Sequence, residues 1–245
     1  NEGPFGSGTG TVSFYNRSTG AVSNDIFQTA NSVPLGNIVQ SMSIHNGKGY
    51  IVVNNASKME VVNASDFKSS ASITGLNQPR YFLGIDNSKG YVTEWGSTGT
   101  NGAVRVINLS NNTISSTIST GAGAENMVKV NSSVYVACKG GYSNDSVVTV
   151  INSSTDAVST TINVGPNPGG IQVDANGKIW VLCGGQWNSG FTALDKTGKL
   201  VRIDPSTNTV EQTFIFTSTT SSPSNLAING VKNKLYYILT KYIIH

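Results

Sequence analysis

The chain has 245 residues, a net charge of +3, 12% charged residues and 38% hydrophobic ones. That hydrophobic share supports a packed core and argues against disorder, while basic residues scattered singly make a poor footprint for a nucleic-acid binder. No run of 18 apolar residues is present, so no helical membrane span is expected, and two cysteines, Cys138 and Cys183, are too few for a disulfide-stapled scaffold.

Residues 1–38 open with the loop-like NEGPFGSGTG and read as the last two strands of a four-strand unit. No signal peptide is visible there, and the chain reads as beginning in mid-element. Four complete units follow, over residues 40–76, 78–121, 124–165 and 168–216. After a Ser/Thr-rich connection, residues 224–241 supply the first two strands of another. The pattern is clearest at 124–165, where MVKV, SVYVAC, VVTVIN and AVSTTINV are separated by NSS, KGGYSNDS and SSTD. Runs rich in Val, Ile, Thr and Tyr, bounded by Gly, Asn, Ser and Asp, are the pattern of an antiparallel meander of strands A, B, C and D.

Two landmarks repeat along the chain. Strand C ends in Phe14-Tyr15-Asn16, Val61-Val62-Asn63, Val106-Ile107-Asn108, Val150-Ile151-Asn152 and Arg202-Ile203-Asp204, at steps of 47, 45, 44 and 52 residues. Strand B carries an aromatic at Tyr50, Tyr91, Tyr135, Trp180 and Tyr236, at steps of 41, 44, 45 and 56. Four strands in a period of about 40–50 residues are the signature of β-propeller blades, and no 3.6-residue periodicity suggests helical repeats instead. The expected fold class is therefore all-β: a single β-propeller domain of four-stranded antiparallel blades, with about five blades present. For the half-blades at the two ends, two arrangements are open. They pair with each other and close a ring, or the chain is a fragment of a longer propeller with an unpaired edge.

Several stretches resemble a known family. They are NEGPFGSGTGTVSFYN, PLGNIVQSMSIHNGKGYIVVNN, GYVTEWG, VYVACKGGYSND, DANGKIWVLCGG, LVRIDPSTNTVE and KLYYIL. They are similar to the YVTN-type, YncE-like β-propellers, and within them to the propeller lipoproteins of Bacteroidetes cell surfaces. The resemblance implies about seven blades, so it favours the fragment, although the terminal YIIH departs from the family's continuation. It also implies a lipid-anchored position on the outer face of the outer membrane, or a secreted or periplasmic one. One branch, the BtuG-type propellers, captures vitamin B12 for a TonB-dependent transporter, which makes a corrinoid and such a transporter the ligand and partner the resemblance suggests.

Strand order sorts the loops. In an up-and-down blade the B-to-C and D-to-A connections share one end, and the A-to-B and C-to-D turns share the other. The second set is short: HNGKG, DNSKG, ANGK, LSNNT, NSSTDA. The B-to-C loops are long and Gly-rich, and each carries a large aromatic: Phe5, Trp95, Tyr142 and Trp187. The D-to-A connections LNQPRYF, GAGAENM and VGPNPGG add Arg80, Tyr81, Glu125, Asn126 and Asn167 to the same rim. Amphipathic aromatics and amides on loops of a rigid scaffold suit a flat or bulky neutral ligand. The alternative is that these aromatics pack between blades or cover a neighbouring loop.

Catalytic and metal constellations are sparse. Only His45 and His245 are available as imidazoles, and His45, in strand A, reads as a strand residue with a satisfied ring nitrogen. A Ser or Cys nucleophile needs a His base, and a metal needs clustered ligands. Glu2 and Glu94 occupy matching positions after strand B, so they read as carboxylates that accept loop N–H groups rather than as catalysts. Cys138 and Cys183 end strand B in consecutive blades and read as small buried thiols. Several Asn-x-Ser sequons (Asn16, Asn55, Asn63, Asn108, Asn131) fall at turns, where Asn has a structural role. No cofactor or metal is expected. The leading expectation is a non-enzymatic binding propeller whose rim holds a small molecule or a protein partner; the alternatives are a propeller lyase or lactonase and a pure interaction or adhesion scaffold.

Overall fold

The computed structural model describes residues 1–6 and 8–241; His245, the YIIH stretch and Ser7 lie outside the described residues. The chain forms two compact units, residues 1–97 with 105–117, and residues 98–104 with 118–245. Unit 1 opens with a hairpin, β1 (Phe14–Tyr15) and β2 (Val22–Ser23), then helix α1 (Ile26–Asn31). The first four-stranded sheet is β3 (Val39–His45), β4 (Lys48–Val53), β5 (Lys58–Asn63) and β6 (Ser69–Thr74). The second is β7 (Pro79–Gly84), β8 (Lys89–Glu94), β9 (Gly102–Asn108) and β10 (Thr113–Thr120), whose last two strands are divided between the units.

Unit 2 contains the sheet β11 (Ala124–Val130), β12 (Ser133–Cys138), β13 (Val147–Asn152) and β14 (Ala157–Asn163). The next chain segment gives β15 (Pro168–Val173), β16 (Ile179–Cys183), the inserted hairpin β17 (Gln186–Trp187) and β18 (Leu194–Lys196), then β19 (Lys199–Asp204) and β20 (Thr209–Ile215). Here β15-β16-β19-β20 make one sheet and β17-β18 another. A two-stranded sheet, β21 (Ser221–Ile228) with β22 (Leu235–Lys241), follows. Strands follow chain order in each sheet, so the expected β-propeller of four-stranded antiparallel blades is the fold. No helix among the described residues is long and apolar enough to cross a membrane.

Sequence explains the layers. Strands B and C are nearly continuous apolar runs because both their faces are covered, as in β4 (KGYIVV) and β12 (SVYVAC), where five of six residues are buried. Strand D carries Ser and Thr with one inward Ile, at Ile73, Ile118 and Ile162. Such a polar edge discourages pairing with other chains. Tyr135, Val150, Ile179 and Ile203 belong to the core of unit 2, and Tyr50, Phe82, Val92 and Ile107 to a core of unit 1. Tyr50 stacks on Phe82 at 3.9 Å between ring centroids. Each such side chain contributes roughly 1.5–3 kcal/mol by leaving water.

Residues 1–38 carry one antiparallel pair of strands, each two residues long, with β1 at the Phe14-Tyr15 landmark, and α1 follows them. Phe27 of α1 and Leu35 enter the core made by Val39, Ile51, Val53 and Val62. Burying that phenyl ring outweighs the short helix's weak intrinsic stability.

Strands A of successive blades lie side by side within each unit, β3 by β7, β11 by β15 and β15 by β21. Polar side chains stitch them. Ser41 and Ser43 donate to the carbonyls of Arg80 and Phe82, Asn126 to that of Gly169, and Gln172 to that of Leu226. His45 Nε2 lies 2.9 Å from the Asp86 carbonyl. A carbonyl only accepts, so that nitrogen carries the proton and the ring is satisfied. Gly84 makes room for it, since a Cβ there would lie 2.3 Å from the imidazole.

Candidate functional site

A backbone clamp recurs before strand A. Ile38, Gln78, Gly123 and Asn167 all have left-handed backbone angles, φ 57°, 51°, 61° and 57°. Their carbonyls accept the N–H of the residue just after strand B: Asn54, Trp95, Lys139 and Gly184, at 2.8, 3.2, 2.9 and 3.0 Å. Asn and Gly adopt this region most readily, which accounts for Gly123 and Asn167. Gln78 adds its side-chain amide, which donates to Gly96 O at 3.2 Å, and Asn167 does the same to Gly185 O at 2.6 Å. Asn167, expected at the ligand rim, is therefore part of this clamp. Its Oδ1 is buried without a hydrogen-bond partner among the described residues.

Immediately after the clamp each strand A bulges. Pairing skips between Val39 and Ser41, Pro79 and Phe82, Ala124 and Met127, and Pro168 and Gly170. The residues left over are Gln40, Arg80 with Tyr81, Glu125 with Asn126, and Gly169. Bulges re-aim side chains and are frequent beside functional sites. Four of the nine expected rim residues are bulge residues.

In unit 1 the bulge joins Arg80 to Trp95, with the guanidinium carbon 4.2 Å from the indole centroid, while Arg80 Nη1 donates to Gln40 Oε1 at 2.5 Å. Thr93 Oγ1 accepts Tyr81 N–H at 3.0 Å and holds the bulge in place. Trp95 is half-buried and Phe5 is 80% exposed. Glu94 is only 3% exposed. Its Oε2 accepts the Asn77 N–H at 2.8 Å and its Oε1 pairs with Arg105 Nε at 2.7 Å. The reading of Glu94 as a carboxylate that accepts a loop N–H holds, and the ion pair explains why it tolerates burial.

In unit 2 Glu125 is buried and Asn126 is half-buried on the strand-A bulge. Asp145 plays the part of Glu94: its Oδ2 accepts the Ala122 N–H at 2.6 Å. Tyr142 is 69% exposed and lies over Gly99, whose hypothetical Cβ would meet its ring at 2.1 Å. That aromatic covers a neighbouring loop. Trp187 is half-buried on the inserted β17–β18 hairpin, paired with Leu194. Cys138 and Cys183 are free and buried at the ends of β12 and β16. Burial raises both thiols, Cys183 to about 12, so neither is a nucleophile at neutral pH. Among the described residues no three His, Cys, Asp or Glu side chains gather as metal ligands.

The arrangement thus offers Arg80, Trp95, Gln40 and Tyr81 in unit 1, and Glu125, Asn126, Tyr142 and Trp187 in unit 2. Gln40 and Gln78 escaped sequence reasoning. The signal that reveals them is position: Gln78 precedes strand A as Asn167 does, and Gln40 follows the matching residue Ile38.

The family model described as "Domain of unknown function (DUF5074)" matches residues 1–245. No curated protein matches the sequence. Among solved structures, the fold is similar to hydrazine synthase of Kuenenia stuttgartiensis (TM-score 0.64, 15% identity, 79% of this chain and 52% of that one). It is also similar to a protein of unknown function from Bacteroides caccae (TM-score 0.59, 12% identity, 92% and 77%). A third is the WD40 β-propeller domain of Doa1 (TM-score 0.62, 12% identity, 85% and 62%). The chain spans about half the length of the hydrazine synthase chain.

Proposed function

The chain belongs to the DUF5074 family, and we propose that this member is a non-enzymatic β-propeller that binds a small molecule or a protein partner through its B-to-C loops and strand-A bulges. One observation carries the reading: the bulge recurs in four successive strands A, and in three of them it holds long polar side chains, Gln40, Arg80 and the Glu125–Asn126 pair. A scaffold needs the clamp but not the chemical variety of what the bulge presents. Arg80 against Trp95 adds a planar, charged surface of the kind that recognises flat ligands. His45, engaged with Asp86 O, is held as a structural residue, which favours binding over acid–base catalysis.

The resemblance to YncE-like propellers makes a corrinoid the specific ligand to try, with an outer-membrane transporter as the partner and the cell surface or the secreted fraction as the place. The test is calorimetric titration with cyanocobalamin of the wild type, of Trp95→Ala, and of Tyr142→Ala combined with Trp187→Ala. Each buried aromatic contact adds about 1–2 kcal/mol, so the variant of the unit that binds should lose at least about fivefold in affinity for the single change or about thirtyfold for the pair. Affinity unchanged in both folded variants would reject the rim. A flat trace with wild type would reject the corrinoid and leave the rim to be tested with other ligands.

A further inference from the structure

Asn-Gly occurs at four places in the sequence: Asn46-Gly47, Asn101-Gly102, Asn176-Gly177 and Asn229-Gly230. We propose that Asn46 is a site of spontaneous covalent modification, converting through a cyclic imide to aspartate and isoaspartate while the protein stays folded. The chemistry joins an asparagine carboxamide to the main-chain nitrogen of the next residue, and a glycine there has no side chain to shield that nitrogen. Hydroxide removes the Gly47 N–H proton, and the nitrogen attacks Asn46 Cγ. A C–N bond forms, the Cγ–Nδ2 bond breaks, and Nδ2 leaves as ammonia after taking a proton from water, which restores the hydroxide. Water then opens the five-membered imide. Addition at Cγ gives aspartate, whereas addition at the main-chain carbonyl of residue 46 gives isoaspartate, with the chain running through the former side chain.

The fold separates the four places. Asn46 and Gly47 are exposed and make the two-residue turn between β3 and β4, with φ 48° and 72°, both positive as such a hairpin turn requires. Nothing lies within 4 Å of the point that a Cβ on Gly47 would occupy. Among the described residues neither the Gly47 N–H nor Asn46 Oδ1 makes a hydrogen bond, and the side chain's one bond is Nδ2 donating to Asn87 Oδ1 at 3.1 Å. Nucleophile and carbonyl are therefore both uncommitted, in a turn with room to move.

Each of the other three is held. The Gly177 N–H donates to Asp174 O at 3.0 Å, which occupies the attacking nitrogen. At Asn229 the carboxamide is tied on both sides: Oδ1 accepts the N–H groups of Asn233 and Lys234, both at 2.9 Å, and Nδ2 donates to Asn233 Oδ1 at 2.7 Å. Gly102 is buried at the start of β9, where a Cβ would lie 1.7 Å from Gly121 O, so packing resists the rotation that ring closure needs. Reaction at these places has to wait for local opening.

The experiment holds the folded full chain at neutral to mildly alkaline pH, maps its peptides by mass over time and reads isoaspartate by enzymatic methyl transfer. Asn46 is expected to convert first, faster as pH rises because the attacking nitrogen must lose its proton. The other three should lag about fivefold or more, as expected where even one hydrogen bond must open first. In urea the turns are lost and the four rates should converge, which would show that the fold and not the shared dipeptide sets their order. Equal rates in the folded protein, an intact Asn46 after another of the four has converted, or conversion only in urea overturns the proposal. This turn lies at the opposite end of β3 and β4 from the rim, so failure here leaves the rim reading standing.

Discussion

Glu94→Ala is expected to cost about 3–5 kcal/mol of stability, read as a lower urea midpoint by circular dichroism. The substitution leaves the Arg105 guanidinium, 19% exposed at its side chain, without its carboxylate, and the Asn77 N–H without its acceptor. An unpaired charge taken out of water costs more than the pair contributes, so the loss exceeds that of an exposed ion pair. Glu94→Gln should fall between wild type and alanine, because an amide oxygen still accepts from Asn77 but carries no charge. A midpoint unchanged in Glu94→Ala would mean that Arg105 finds another partner and that the ion pair does not hold the B-to-C loop.

Gly123→Ala should cost roughly 2–5 kcal/mol, combining the left-handed penalty for a residue with a Cβ and the cost of overpacking. Gly123 is the clamp residue of the β11 blade at φ 61°, and an added Cβ would sit 1.9 Å from the Gly141 nitrogen. Backbone cannot rotate away as a side chain can, so the loop carrying Tyr142 would have to move. Gly177 is the control: its φ is 76° but nothing lies within 4 Å of a Cβ there, so Gly177→Ala should cost only about 1 kcal/mol. Equal midpoints for the two variants would show that the clamp tolerates displacement.

The repeat was legible because a turn imposes a residue type. Asn16, Asn108, Asn152 and Asp204 end strand C, and each side-chain oxygen accepts the N–H two residues on, from Ser18, Ser110, Ser154 and Ser206. Such turns need Asn or Asp, which is why the mark recurs in the sequence. The strand-B aromatics were legible for a similar reason, since Tyr50, Tyr91 and Tyr135 each fill a buried position. The site was less legible. A bulge adds no residue type of its own, so Arg80 and Asn126 looked like loop residues when they lie on the bulged strand. Glu94 was read rightly as a carboxylate that accepts a loop N–H, but its ion-pair partner was not legible, because Arg105 is a neighbour in space on the next strand. Helix α1 was hidden because its stability rests on burying Phe27 in the core.

Arg80→Ala tests the central claim most directly, measured as paired melting and binding curves. If the bulge serves recognition, melting shifts by less than about 1 kcal/mol in stability, since Arg80 is only half-buried and its stacking on an indole face and its bond to an amide oxygen are made at the bulge rather than in the core. Ligand affinity then falls at least about tenfold. Full affinity in a variant that unfolds early would contradict the account and make Arg80 a structural residue of the scaffold.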